Sequence, residues 1–153
     1  MAKFIYRMQS ILDIKYKLEN QAKSIFADAS FKLQEEEKKL KILQDRKLDY
    51  EEKLTNLFMN KLDLLKIKET ENAIETIKFS IKMQHFEVKK AEQNLENARK
   101  KLSEIMIERK TQEILREKAF EEFKLDVNYE ERKEIDELVS FKYNIPVGSE
   151  DEV

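Results

Sequence analysis

The one proline and the one glycine of this 153-residue chain, Pro146 and Gly148, both stand in its last eight residues. Nothing before Pro146 carries a proline break or a glycine hinge, so long uninterrupted helix is the form open to the rest. Composition points the same way: 41% of the residues are charged, and there is neither Cys nor Trp. Chains rich in Ala, Glu, Lys, Leu and Arg at helical period are long helices or coiled coils, and strands are disfavoured in them.

Apolar spacing sharpens this expectation. A stripe runs Phe4, Met8, Ile11, Lys15, Leu18, Ala22, Ile25 and Ala29 in alternating steps of four and three. One extra step of four leads to Leu33, and the alternation resumes through Glu36, Leu40, Leu43, Lys47, Tyr50, Leu54 and Leu57. The period near 3.5 predicts a supercoiled seam, and the extra step predicts a stutter near Ala29. A second stripe runs Leu64, Ile67, Glu71, Ile74, Ile77, Ile81, Gln84, Val88, Ala91, Leu95, Ala98, Leu102 and Ile105.

Neither stripe buries itself alone, and their phase is disturbed at Asn60-Lys61-Leu62-Asp63, where Asp63 is placed to cap a new helix. The expected fold is therefore all-α, a long antiparallel two-helix coiled-coil hairpin. Its first helix covers about 3–58, the tip about 59–63 and the second helix about 64–143, forming one domain over 1–144. Residues 145–153 are expected to be a flexible acidic tail. An arm of about 55 residues at 1.5 Å rise is about 80 Å long, so a rod is expected. Counting back from the tip places the N-terminus near Lys118, with about 20 residues of the second helix overhanging. Ala22, Ala29, Ala91 and Ala98 permit close approach of the two helices, whereas Lys15, Lys47 and Gln84 are polar seam positions. Such positions fix register or mark where the coil diverges.

Thirty basic and 32 acidic residues give a formal charge of -2, too small a field to recruit nucleic acid non-specifically. Interleaved signs such as Glu35-Glu36-Glu37-Lys38-Lys39 describe a solvated helix face. No run approaches the ~20 apolar residues that cross a bilayer, and Arg7, Asp13, Lys15 and Lys17 interrupt any signal-peptide core, so a cytoplasmic protein is expected. Catalysis is not. A phosphate-cradling loop needs several glycines. The lone His85 has no Cys or second His to complete a nucleophile or metal set, and carboxylates on a water-washed helix have nothing to separate their pKa values. No cofactor and no metal site are expected, and function is sought in the surfaces.

The opening stretch KFIYRMQSILDIKYKL carries more apolar side chains than one seam uses. Once Phe4, Met8, Ile11, Lys15 and Leu18 are assigned to the seam, Ile5, Tyr6, Leu12, Ile14 and Tyr16 remain around the circumference. A helix apolar nearly all round is enclosed, either by the C-terminal segment folding back or by another protein.

The run Phe4, Tyr6, Arg7, Met8, Gln9, Ile11, Leu12, Asp13, Ile14 and Lys15 resembles the start of the FliJ family of flagellar export proteins. The later Glu131-Arg132-Lys133-Glu134-Ile135-Asp136-Glu137-Leu138, followed by Phe141, is similar to that family's C-terminal motif. The resemblance implies a non-enzymatic component of the flagellar type III export apparatus whose hairpin is similar to the central stalk of rotary ATPases. It also implies a chaperone-like role in motility, with the protein cytoplasmic and peripheral at the inner membrane when assembled. The joined ends would enter the hexameric ring of the export ATPase FliI, promoting its assembly and activity, through Phe4, Tyr6, Arg7, Met8, Ile11, Leu12, Arg132, Ile135, Asp136, Glu137 and Leu138. The shaft would contact the export gate protein FlhA through Leu43, Tyr50 and Ile77, and other export chaperones are further partners. The family often carries Gly at the hairpin turn, where this chain has Lys61. A stalk of another secretion or rotary ATPase, or a general helical chaperone binding along its length, are the rival readings.

Overall fold

The computed structural model describes residues 2–144, so the acidic tail expected at 145–153 lies outside the described residues. The fold is all-α: α1 spans Gln9–Met59 and α2 spans Leu64–Asn144, and the two pack against each other as a hairpin, with no strand among the described residues. The chain divides into two compact units. One holds Lys17–Met106, and the other joins Met1–Tyr16 to Ile107–Val153.

The Lys17–Met106 unit contains the turn. Helix α1 ends at Met59, where the Asn60 amide still donates to the Asn56 carbonyl at 3.1 Å. Asp63 then caps α2: its Oδ1 accepts from the Leu65 amide at 3.2 Å and the Lys66 amide at 3.3 Å, and its carbonyl accepts from Ile67. Two amides left without intrahelical partners are thereby satisfied. No described residue has positive φ. The turn thus has no need of glycine, which explains how Lys61 stands there.

Between the arms of this unit the seam is regular. On α1 the covered positions are Glu19, Ala22, Phe26, Ala29, Leu33, Glu36, Leu40, Leu43, Lys47, Tyr50, Leu54 and Leu57, in unbroken steps of three and four. The expected stutter near Ala29 is absent. The expectation followed Leu18 and Ile25, but both are exposed, and the seam is occupied one residue later by Glu19 and Phe26. A carboxylate at the seam hid the true phase. On α2 the expected Ile74 to Ile105 stripe is the covered one, with two changes at its start: Leu64 is exposed, and Thr70 replaces Glu71. Buried Ile67, Ile74, Ala22, Val88, Ala91 and Ala98 form the core of the unit.

Two buried carboxylates sit in that core. Glu19 pairs with Lys23 at 3.3 Å. Glu36 accepts from Gln84 across the hairpin at 2.5 Å, while the same Gln84 amide also reaches the Glu36 carbonyl at 2.9 Å. Lys32 and Lys39 flank it at 3.0 and 3.5 Å. The hydrogen bond from Gln84, followed by that from Lys32, holds the Glu36 carboxyl below its usual range. Among the polar seam positions, Gln84 therefore acts as a register lock, because sliding either helix would strand a buried charge.

In the other unit the N-terminal arm differs from expectation. Residues 2–6 are not helical, and α1 begins only at Gln9, after a turn in which the Gln9 amide donates to the Tyr6 carbonyl at 3.1 Å. No Ser, Thr, Asp or Asn precedes the helix to cap it earlier. In the non-helical segment coverage alternates: Phe4 and Tyr6 are half-buried, whereas Ile5 and Arg7 are exposed. The expected helical step from Phe4 to Met8 is lost, and the surplus of the opening stretch is partly redistributed. Leu12, expected outside the seam, is buried at 2% exposure, whereas Met8 and Ile11, expected inside it, are exposed.

Candidate functional site

The candidate site is a set of surfaces. The Met1–Tyr16 and Ile107–Val153 unit is assembled by a line of antiparallel contacts. Lys15 pairs with Glu108 at 2.7 Å, Gln9 accepts from Arg116 at 3.0 Å, and Tyr6 donates to Gln112 at 3.3 Å. At its end Phe4 meets the Phe120 ring edge-to-face at 5.1 Å and the Phe123 ring at 5.4 Å, with the Arg116 guanidinium 5.8 Å from the Phe4 ring. Such ring pairs and cation–π contacts each add about 1 kcal/mol beyond area burial. The position agrees with the N-terminus expected near Lys118.

A second clip lies at Tyr16. Its hydroxyl donates to Glu113, its ring stands 5.9 Å from the Arg109 guanidinium, and Arg109 pairs with Glu113 at 3.0 Å. The hydrogen bond to Glu113, with burial and that negative charge, raises the Tyr16 pKa.

These contacts sort the residues expected to meet a partner ring. Phe4 and Tyr6 hold the N-terminal segment to α2 and present only part of their surface. Leu12 is enclosed and leaves the accessible set, a correction that follows from the true phase of the seam. Arg7, Met8 and Ile11 are exposed, with Ile5 and Ile14 beside them.

On α2 the helix runs on without a break to Asn144, so the C-terminal segment does not fold back, and residues 128–143 are all exposed. Helical geometry at about 100° per residue places Ile135, Leu138, Val139 and Phe141 on one side. Leu138 and Phe141 lie on the same face as Phe120, Phe123 and Val127, but exposed Glu131 and Glu134 stand between the two apolar groups on that face. Arg132, Asp136 and Glu137 line a shallow groove with Tyr129, Lys133 and Ser140 on the other side. The proposed ring residues of the C-terminal motif are thus all exposed but on two faces. Leu125, in the overhanging part of α2, is exposed, and Ile107, Ile114 and Leu115 are further exposed apolar side chains that the sequence reading missed. Their signal was available: none falls on the covered Ile105-Arg109-Gln112-Ala119-Phe123 line.

In the Lys17–Met106 unit, Leu43, Tyr50 and Ile77 are half-buried at the seam. Tyr50 and Ile77 line a groove with Arg46, Asp49, Lys53, Ala73 and Thr76, and Lys53 stands 5.1 Å from the Tyr50 ring. A neighbouring groove of about 530 Å³ is lined by Lys47, Lys78, Ile81, Lys82, His85, Phe86 and Lys89. Here the exposed His85 belongs to a basic, aromatic surface, which its isolation in the sequence did not reveal. Among the described residues no group of three or more His, Asp or Glu is placed to hold a metal, and no helix is long and apolar enough to cross a membrane.

Comparison with curated proteins finds no match, and neither does comparison with solved structures. Comparison with protein families matches one, described as Flagellar FliJ protein, over residues 4–146. That span takes in both helices, the turn between them and both terminal motifs, and the chain belongs to the FliJ family, a component of flagellar protein export.

Proposed function

We propose that this protein is the stalk of the flagellar export ATPase, itself without catalytic activity. Its joined ends bind inside the hexameric FliI ring and promote assembly and hydrolysis, while the hairpin seam contacts the export gate protein FlhA. The observation that carries this reading is the uncovered apolar face of α2. Phe120 and Phe123 receive Phe4, Val127 lines a groove with Ala2, and beyond Glu131 and Glu134 the same face carries exposed Leu138 and Phe141, adjoined by Ile135. The two apolar patches are separated on that face by exposed Glu131 and Glu134, and exposed apolar patches rimmed by charge mark an interface.

Binding shifts the ATPase towards its assembled state only through higher affinity for that state, so the ring-facing groups are those that a closed ring contacts together. Exposed Arg7, Met8 and Ile11 from one segment and Arg132, Ile135, Asp136, Glu137 and Leu138 from the other supply apolar anchors with a charged rim. For the gate, the groove beside Tyr50 and Ile77 and the basic groove beside His85 offer aromatic and cationic contacts. The protein then works in the cytoplasm, peripheral to the inner membrane, and meets other export chaperones in that assembly.

The test is the ATP hydrolysis rate of the cognate export ATPase with wild-type protein and with an Ile135→Asp/Leu138→Asp variant. Both positions are exposed, so the variant stays helical by circular dichroism. Stimulation by wild type and its loss in the variant supports the stalk. Equal stimulation by both refutes ring contact through the α2 extension. Binding to the gate protein is expected to survive this variant and to fall with Tyr50→Ala.

A further inference from the structure

The turn between α1 and α2 carries a surface that the stalk reading does not use. From Phe58 to Leu65, five of eight residues are large and apolar: Phe58, Met59, Leu62, Leu64 and Leu65. All are exposed, between 56% and 81%, although the turn backbone is well made and its cap satisfied. Their exposure is therefore not a consequence of a poorly formed turn, and single exposed apolar residues are ordinary where five adjacent ones are not.

The charges around them are equally unbalanced. Between Lys53 and Lys68 the chain has four lysines, Lys53, Lys61, Lys66 and Lys68, and a single acid, Asp63, in a protein whose acids otherwise outnumber its bases. All four lysines are exposed. Asp63 is turned back onto the α2 amides as a cap, where the helix N-terminus offsets its charge. The remainder of the polar surface here is neutral, including Thr55, Asn56 and Asn60.

We propose that this turn is a lipid-contacting element that seats in the headgroup–acyl boundary of an anionic bilayer. The apolar side chains project from a turn between helix ends, a form suited to a deformable apolar medium. Lysines bordering them meet anionic headgroups, the pairing that stabilises interfacial protein segments. Seating stops at that boundary, because the turn's unpaired backbone groups and the Asp63 carboxylate need water or headgroups. Lipid contact by the turn stands independently of the ATPase reading.

The experiment is co-sedimentation of the full-length protein with large vesicles of phosphatidylcholine alone or with one-third phosphatidylglycerol. Binding is expected to anionic vesicles and to weaken with salt. A Leu62→Asp/Leu65→Asp variant is expected to bind at least about tenfold more weakly, and Lys61→Glu/Lys66→Glu also by about tenfold or more. The chain has no Trp. Phe58→Trp therefore adds a single reporter, whose emission is expected to shift to the blue and to be quenched by brominated acyl chains on vesicle binding. Absence of binding to anionic vesicles overturns the proposal, as does undiminished binding by the Leu62→Asp/Leu65→Asp variant. It is also overturned by self-association through the turn, seen in sedimentation and lost in that variant, with no vesicle binding. Stimulation of the ATPase is expected to be unchanged in the variant, so failure here and failure of the stalk reading are separable.

Discussion

The two units of the molecule are built from the same two helices by different means. In Lys17–Met106 the helices share an unbroken three-four seam whose buried members are small or aliphatic, Ala22, Ile67, Ile74, Val88, Ala91 and Ala98, with Glu36 and Gln84 locked across it. In the other unit Leu12 is the one buried apolar residue among those described, and the N-terminal segment is held by rings, ion pairs and side-chain hydrogen bonds. Its α2 then continues for 16 exposed residues, 128–143. The first unit completes its own seam. The second presents exposed apolar side chains, Leu138, Val139 and Phe141 among them, that the described residues do not cover.

The most severe way to break this comparison is to separate the units. A chain cut to residues 17–106 is expected to remain helical, to melt cooperatively, and to lose all stimulation of the export ATPase. Calorimetry and the hydrolysis assay read the two halves of that statement. A fragment that stimulates normally would move the functional surface onto the seam unit.

Point substitutions sharpen the contrast. Ile74→Ala in the seam is expected to cost about 2 kcal/mol, the lower part of the range for buried aliphatics, because a two-helix seam encloses each residue less than a globular core. Ile135→Ala on the exposed extension is expected to change stability by less than about 0.5 kcal/mol. Denaturant midpoints measured on both variants make the comparison, and equal losses would mean that the extension is covered by its own chain. Next in size, Phe4→Ala is expected to cost about 1 kcal/mol and to act locally. Hydrogen exchange should then rise in α1's first turn and around Phe120, while amides between Lys17 and Met106 keep their protection.

Much of the fold was legible in the sequence because breakers and period report directly on backbone form. With no Gly or Pro before Pro146, the helices had to be long, and the phase change with Asp63 marked the turn. The N-terminal arm was misread for two physical reasons. Glu19 occupies a seam position, so apolar spacing led one residue astray to Leu18 and Ile25. Phe4 and Tyr6 fit either a helix or an extended segment over so short a span. Packing on Phe120 and Phe123, more than a hundred residues distant, is visible only in three dimensions. Arg132, Ile135, Asp136, Glu137 and Leu138 are exposed, but so is every residue from 128 to 143, so only their motif sets them apart. Their division between two faces of α2 and the enclosure of Leu12 depend on rotation about the helix axis, which an error of one residue in phase obscures.

The smallest expected effect concerns the lock at Glu36, where pH provides the handle. Its carboxyl titrates below the ordinary value because Gln84 donates to it and Lys32 pairs with it. A group whose pKa is lowered by folding binds protons more readily when unfolded, so its contribution is fully present above the usual carboxylate range and is lost as pH falls through the lowered value. Glu36→Gln keeps the shape and removes that titration. Thermal melts at neutral pH should show the wild type ahead of the variant, with the gap closing on acidification below the usual carboxylate range. A constant gap across that range would mean that Glu36 acts by packing alone, and the seam unit would owe its register to the fit of its alanines and aliphatic residues rather than to a buried charge.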